Sequence, residues 1–151
     1  MSLLLLTGIT LGVSAQQPQQ QKQKLEQKDV PENVQTALKT AFANAKDVEW
    51  KLKDGIYKAK FEMDGKEHLA SINTSGEIES KGSEILATEL PAAITSAIQS
   101  GYSGWKIDDV YKVDEKGTTR YLVELDGNPD KKVVYSAEGK LEKEMPDDDA
   151  E

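Results

Sequence analysis

The sequence contains no cysteine and a single histidine, and these absences exclude several kinds of site. Without cysteine the chain has no disulfide framework, no thiol nucleophile and no cysteine-ligated zinc or iron–sulfur centre. One histidine without cysteine also makes a haem or transition-metal site a poor hypothesis, since these ligands dominate such sites. We therefore expect no cofactor.

Basic residues are outnumbered, with 19 Lys and Arg against 27 Asp and Glu and a formal net charge of −8. Because nucleic-acid affinity depends largely on clustered Lys and Arg, we expect no nucleic-acid partner. The 151 residues are 37% hydrophobic and 30% charged, which suits one ordinary domain or two very small ones with a modest core.

Long hydrophobic runs are also scarce, and the one at residues 3–13 is too short to cross a bilayer core of ~30 Å as a helix. Val13 and Ala15 occupy the −3 and −1 positions before Gln16, where a signal peptidase would cleave. No Lys or Arg precedes the run, so an uncleaved apolar terminus is the alternative. We predict a signal peptide at 1–15, a periplasmic or extracellular location, and no integral membrane segment after cleavage.

The segments next to the two termini have compositions that disfavour a packed core. Residues 16–28 are mostly Gln with Lys, which predicts a disordered leader. Residues 145–151 include four carboxylates, which predicts a solvated acidic tail. The folded part is then about Asp29 to Glu144.

Helical signals recur within this folded part at an offset of 60 residues, with Val30-Pro31 matching Leu90-Pro91. After each pair, apolar residues follow the spacing that places them on one face of a helix. Proline near a helix start costs little, because the first N–H groups have no intrahelical partner. We predict two repeats, 29–81 and 82–144, each opening with a helix.

Three X-Gly pairs follow each predicted helix, and glycine accepts the positive φ that tight hairpin turns need. The pairs are Asp54-Gly55, Asp64-Gly65 and Ser75-Gly76, then Lys116-Gly117, Asp126-Gly127 and Glu138-Gly139. They predict four short antiparallel strands in each repeat. The predicted fold class is α+β, a tandem repeat of a helix plus a four-stranded antiparallel sheet, with the two units packed together.

This organisation resembles the PepSY-like family of β-lactamase-inhibitor-like proteins, small secreted proteins of Bacteroidetes. The resemblance covers roughly Val30 to Glu144. It rests on the two hydrophobic-Pro pairs, Phe42, Tyr102, residues 61–65 and 123–127, and the turns at Ser75-Gly76-Glu77 and Glu138-Gly139-Lys140. It implies a fold like that of the β-lactamase inhibitor protein, an envelope or extracellular location and no established enzymatic activity. These patterns describe a fold, and they assign no inhibitory contact to a numbered residue.

Catalytic signals in the sequence are weak. His68 alternates with Ala70 and Ile72 on a predicted strand, which favours a structural histidine over a general base. Residues 101–105 resemble a nucleophile elbow but lack its last glycine and lie at a helix end. We predict that the protein is not an enzyme.

A calcium site is the alternative among binding chemistries, because hard cations prefer oxygen ligands. Residues 126–130 carry such ligands at alternate positions, but Lys131 and Ala137 stand where an EF-hand loop has glycine and glutamate. A hairpin turn is therefore preferred. A calcium-responsive envelope protein that uses its acidic loops and tail remains the alternative function.

A helix covers only one face of such a sheet, and the other face should be polar unless a partner binds there. Alternation turns Tyr121, Val123 and Leu125 inward, together with Ile107, Asp109, Tyr111 and Val113 on the preceding strand. It turns apolar residues outward at three positions, with basic residues as a rim. The candidate partner-binding residues are Lys58, Lys60, Val110, Arg120, Leu122 and Val134. We expect a protein or peptide partner in the cell envelope, with a homodimer or contact between the two repeats as alternatives.

Overall fold

The computed structural model describes residues 23–147, which form nine strands and two α-helices. The strands are β1 Gln23–Leu25, β2 Lys46–Lys53, β3 Ile56–Met63, β4 Lys66–Asn73, β5 Ile78–Ile85, β6 Lys106–Glu115, β7 Thr118–Asp126, β8 Lys131–Ser136 and β9 Leu141–Pro146. The helices are α1 Glu32–Ala41 and α2 Ala92–Gly101, and each follows a short 3₁₀ turn, at Gln27–Asp29 and at Ala87–Glu89.

The nine strands form one antiparallel sheet in chain order, each strand paired with the next. Strand β5 pairs with β6 along Ser80 to Ile85, opposite Glu115 to Val110. The α+β class agrees with the sequence, but the sheet is continuous where the sequence analysis predicted two four-stranded sheets. Pairing β5 with β6 removes two exposed strand edges, whose unpaired N–H and C=O groups would otherwise face water.

Both helices lie on the same side of this sheet, here called the inner face. Helix α1 buries Val34 and Leu38 against β2, β3 and β4, and α2 buries Ile94 and Ile98 against β6, β7 and β8. Each helix therefore has its own hydrophobic core. We call β1 to β5 with α1 the first half of the molecule, and α2 with β6 to β9 the second half.

The helix starts and the hairpin turns lie where the sequence predicts them. Pro31 and Pro91 are the N-cap residues of the two helices. The glycine has positive φ in every predicted turn except that at Gly127, where the Gly127 N–H donates to Asp130 Oδ1 at 2.8 Å instead. Asp130 thus caps this turn, which agrees with the hairpin connection preferred from the sequence.

The N-terminal edge of the sheet differs from expectation. Residues 16–28 are predicted to be a disordered leader, yet Gln23–Leu25 forms β1 and pairs with Leu52 to Trp50 of β2. Leu25 packs against the first core, and this apolar contact opposes the entropy of ordering the segment. Residues 1–22 lie outside the described residues, and with them the predicted signal peptide and the rest of the leader.

At the other end, residues 148–151 also lie outside the described residues, together with most of the predicted acidic tail. The start of that tail belongs to the fold, because Met145 and Pro146 end β9 and Asp147 forms an ion pair with Lys132 at 3.1 Å. Within residues 23–147, neither helix has the length and apolar character needed to span a bilayer.

Candidate binding surface

The side of the sheet away from the helices, here called the outer face, carries a continuous set of apolar side chains. On this face Leu122 stands opposite Tyr111 of β6 and Val134 of β8 in the strand register. Leu122 and Val134 are half-buried on this face. Their predicted outward placement is confirmed. We call the full set the outer strip: Leu69, Tyr111, Val113, Leu122 and Val134.

The outer strip crosses from the first half to the second over Gly82 of β5. Gly82 pairs with Leu69 on one side and with Val113 on the other. A Cβ at this glycine would lie 3.2 Å from Val113 Cγ2 and 3.5 Å from Leu69 Cβ. The missing side chain therefore lets the two neighbours approach each other across the strand that joins the halves.

Tyr111 lies at the centre of the outer face and is only 1% exposed. Its hydroxyl donates to Glu67, and the same carboxylate forms an ion pair with Lys60 Nζ at 2.8 Å. Burial, together with the bond to Glu67, raises the pKa of Tyr111. Burial alone would lower the pKa of Lys60, but the bond to Glu67 and nearby carboxylates outweigh it and raise this pKa. Near neutral pH the tyrosine therefore stays a donor and the lysine a cation.

The predicted basic rim lies on the outer face, but carboxylates hold its cations in place. Arg120 forms ion pairs of 2.5 Å with both Glu115 and Glu142. Lys58 is exposed at the end of the face nearer β1, opposite Ser71 in the register. Because Arg120 and Lys60 are anchored in this way, the charges around the strip have fixed directions.

An acidic cluster adjoins the strip, where ligand atoms of Asp108, Asp109 and Glu124 all lie within 4.8 Å of one another. Burial raises the pKa of the Asp109 carboxyl, and the charges of Asp108 and Glu124 add to the rise. Glu124 is partly neutralised by Lys132, whose Nζ lies 2.8 Å away. Oxygen ligands at this separation could hold a cation, although a lysine already occupies one side of the cluster.

The predicted outward position of Val110 is wrong. Strand β6 contains a β-bulge between Ile107 and Val110, and the extra residue turns both of them toward α2. Val110 is 1% exposed, pairs with Val123 and belongs to the second core. Beyond the bulge the alternation is reversed, so Tyr111 and Val113 face outward instead of inward. The 60-residue offset could have signalled this, because it matches Val110 with the inward Trp50.

The two candidate catalytic sites from the sequence, His68 and the segment 101–105, make contacts typical of structural residues. His68 stacks on Phe61 with ring centroids 5.7 Å apart, and its Nε2 lies 3.2 Å from the carbonyl oxygen of Met63. Tyr102, within the segment that resembles a nucleophile elbow, is the C-cap of α2. These contacts support the structural roles predicted for both sites.

The chain matches the model of one protein family. The model of a family described as "Putative beta-lactamase-inhibitor-like, PepSY-like" matches residues 16–71 and 73–143. No curated protein matches the chain.

Solved structures from Bacteroides are similar to the chain. A BLIP-like protein from Bacteroides fragilis is 25% identical with a TM-score of 0.56, over 78% of this chain and 89% of that one. A DUF2874 family protein from Bacteroides ovatus is 25% identical with a TM-score of 0.59, over 77% and 86%. A Bacteroides eggerthii protein described as "putative periplasmic" is 20% identical with a TM-score of 0.64, over 78% and 88%, and shows the fold alone. The fold is therefore BLIP-like.

Proposed function

Because the chain belongs to the beta-lactamase-inhibitor-like, PepSY-like family, we propose that it is a secreted, non-enzymatic binding module that holds a protein or peptide of the cell envelope on its outer face. The observation that carries this proposal is the outer strip, a run of apolar side chains where a solvent-facing sheet would ordinarily be polar.

The outer strip has the composition of a binding interface. Its accessible part is apolar, because the partly exposed members Leu122 and Val134 lie beside the buried Tyr111. Its margin is charged, with Lys60 and Arg120 held by carboxylates. Interfaces combine such an apolar core with a polar rim, and side chains that are already fixed lose less entropy when a partner binds. Leu122 and Val134 are only partly buried, so the exposed part of each side chain remains available to a partner.

Two finer features belong to the same proposal. Each half supplies a helix and four successive strands after its Pro residue, and we treat the halves as tandem repeats that share one binding face. We place the protein in the periplasm or outside the cell, supported by the predicted signal peptide. The BLIP-like neighbour supports an inhibitor-like mode, in which the face binds and blocks a protein.

The test compares three versions of residues 16–151 in a pull-down against envelope extract. The first is the parent, and the second carries Leu122→Asp and Val134→Asp, which place two negative charges in the outer strip. The third carries Thr40→Asp and Ser100→Asp, which add the same charges at exposed positions on the helix side. We expect a specific protein that the parent and the helix-side control retain and that the strip variant loses.

Circular dichroism and size-exclusion chromatography must accompany this comparison. Equal retention by the folded strip variant would show that the outer strip is not the binding surface. A parent that elutes as a dimer and a strip variant that elutes as a monomer would assign the strip to a homodimer instead.

A calcium-responsive function is the second candidate, supported by the closeness of Asp108, Asp109 and Glu124. A cation that binds only the native state must raise the melting temperature. At a concentration one hundred times its dissociation constant, it adds about 2.7 kcal/mol to the free energy of unfolding. A rise in melting temperature with millimolar calcium, lost in Asp109→Asn, would support this function. An unchanged melting temperature would remove it.

A further inference from the structure

A cleft lies on the helix side of the molecule, between α2 and the β8–β9 hairpin. Its volume is about 320 Å³, at the lower end of the range for small-molecule pockets. It is lined by small residues of the helix and by aromatic, apolar and charged side chains. The residues that matter here are Tyr102, Trp105, Lys131, Tyr135, Leu141 and Glu144.

An ammonium group already occupies the aromatic part of this cleft. The Nζ of Lys131 lies 5.0 Å from the ring centroid of Trp105 and 5.7 Å from that of Tyr102. The two rings are perpendicular, with centroids 5.9 Å apart. The same Nζ lies 2.7 Å from Glu144, whose carboxylate also accepts a hydrogen bond from the Tyr102 hydroxyl. Two ring faces and a carboxylate therefore surround one cation.

Trp105 is held rigidly in this arrangement. Its Nε1 donates to the carbonyl oxygen of Pro129 at 2.9 Å. Its ring lies against Gly127, where a Cβ would stand only 2.1 Å from Trp105 Cδ1. The turn before β8 thus has a glycine because the indole occupies the space of a side chain. An aromatic wall fixed in advance costs less ordering entropy when a ligand binds.

We propose that this cleft binds the organic ammonium group of a ligand, which takes the place of the Lys131 ammonium between Trp105, Tyr102 and Glu144. Lys131 has a flexible four-carbon stem and a partly exposed side chain, so it can leave toward solvent. The two aromatic faces and the carboxylate then present negative potential to any ammonium group that enters. Leu141, 43% exposed, and Tyr135 offer apolar contact to the rest of the ligand.

The experiment uses tetramethylammonium chloride as the probe and follows the indole N–H resonances by NMR. The chain has two tryptophans, and Trp50 is 2% exposed in the first core, so it serves as an internal control. We expect the Trp105 signal to shift on titration while Trp50 stays in place. Sodium chloride at equal ionic strength is the matched salt control, and Trp105→Leu assigns the signals.

Removing the resident cation gives the sharpest result. Lys131→Met should bind tetramethylammonium about tenfold more tightly than the parent, since no side-chain ammonium competes for the site. Lys131→Gln is the second variant in case methionine fills the cleft. Glu144→Gln should weaken binding in the Lys131→Met background, whereas Thr40→Asp, on α1, should leave it unchanged.

Vesicles of phosphatidylcholine distinguish the source of the ammonium. Co-sedimentation of Lys131→Met with vesicles indicates a lipid headgroup, whereas binding of the free probe alone indicates a soluble amine, and both outcomes support the site. The proposal is overturned if folded Lys131→Met and Lys131→Gln bind no more tightly than the parent, or if sodium chloride shifts Trp105 equally. Loss of the envelope partner leaves this result unaffected, because the outer strip lies on the opposite face.

Discussion

Each half of the molecule has a groove at the corresponding place, but the side chains that line the two grooves differ in chemistry. In each half, the groove lies between the helix and the hairpin formed by the last two strands of that half. Beside α1 it is about 490 Å³, open, and lined mainly by small and hydroxyl side chains such as Thr36, Thr40 and Ser75. Beside α2 it is about 320 Å³ and lined by aromatic and charged side chains.

Two pairs of residues, each 60 positions apart, account for much of this difference. Phe42 packs on Phe61 with centroids 4.9 Å apart and stays within the first core. Tyr102 instead donates its hydroxyl to Glu144, and both residues line the second groove. Ala45 lies where the second half has Trp105. The backbone therefore fixes where a groove exists, while a hydroxyl and an indole decide whether it can recognise a ligand.

The largest expected effect of a single substitution lies in the two cores. Val34 and Ile94 are both fully buried at matching places on their helices. Ile94→Ala should cost about 2–5 kcal/mol of unfolding free energy, because it removes buried methyl groups and leaves a cavity. Val34→Ala removes one methylene less and should cost about 0.8 kcal/mol less. Urea denaturation followed by circular dichroism measures both values.

The same experiment tests how far the halves are independent. Because β5 and β6 are paired along Ser80 to Ile85, we expect one cooperative transition for the parent and for both variants. Two separated transitions in Ile94→Ala, with the first half melting later, would show that the shared sheet does not couple the cores.

A smaller effect is expected where the hairpin turn of each half contacts its helix. Gly76 and Gly139 both have positive φ, but a Cβ at Gly139 would lie 2.8 Å from Ala93 Cβ, against 3.1 Å from the Asn33 carbonyl oxygen at Gly76. Gly139→Ala should therefore cost about 2–4 kcal/mol, from backbone strain and overlap together. Gly76→Ala should cost less.

Gly117→Ala is the control for this pair. Gly117 has φ of +88°, and a Cβ added there would have no neighbouring atom of residues 23–147 within 4 Å. Only backbone strain of about 1 kcal/mol therefore applies. Thermal unfolding should rank the three variants Gly139, Gly76, Gly117 from most to least destabilised. Equal losses at all three would mean that the helix contacts contribute nothing.

Regular features of the fold can be predicted from the sequence. Helix faces, proline positions and most hairpin turns follow from local patterns, because periodicity and glycine conformation are properties of short segments. The sequence places Leu122 and Val134 correctly since β7 and β8 alternate without interruption between Arg120 and Leu125. Regular alternation likewise places Lys60 of β3 and Arg120 of β7 on the outer face.

The rest depends on interactions between distant segments. The β-bulge in β6 adds one residue and reverses the alternation beyond it, and no residue type in the sequence marks its position. The sequence pattern therefore assigns Val110 to the outer face and Tyr111 to the inner face, and both assignments are wrong. The pairing of β5 with β6 needs only two compatible edges and leaves no local signal. The contact of Lys131 with Trp105 joins residues 26 positions apart, which the pairing of β6, β7 and β8 and the turn at Gly127 bring together.

The smallest predicted effect compares Asp109 with Glu49, the residue 60 positions before it. Asp109 is half-buried among carboxylates on the outer face, whereas Glu49 is exposed. Because burial and neighbouring charges raise the folded-state pKa of Asp109, its ionised form destabilises the fold at neutral pH. Asp109→Asn should therefore raise the melting temperature at pH 7 by roughly 2–3 °C.

The raised pKa of Asp109 also determines how the effect of Asp109→Asn on the melting temperature depends on pH. A carboxyl whose pKa is raised on folding favours the native state at low pH, and that contribution is lost as pH rises through the folded-state value. The gain from Asp109→Asn should accordingly disappear as the pH falls below about 3.9, the ordinary value for aspartate. Glu49→Gln should change the melting temperature little at either pH, since exposed substitutions are usually within about 0.5 kcal/mol. A gain that persists in acid would instead point to packing by the asparagine, and equal gains from both variants would point to net charge alone.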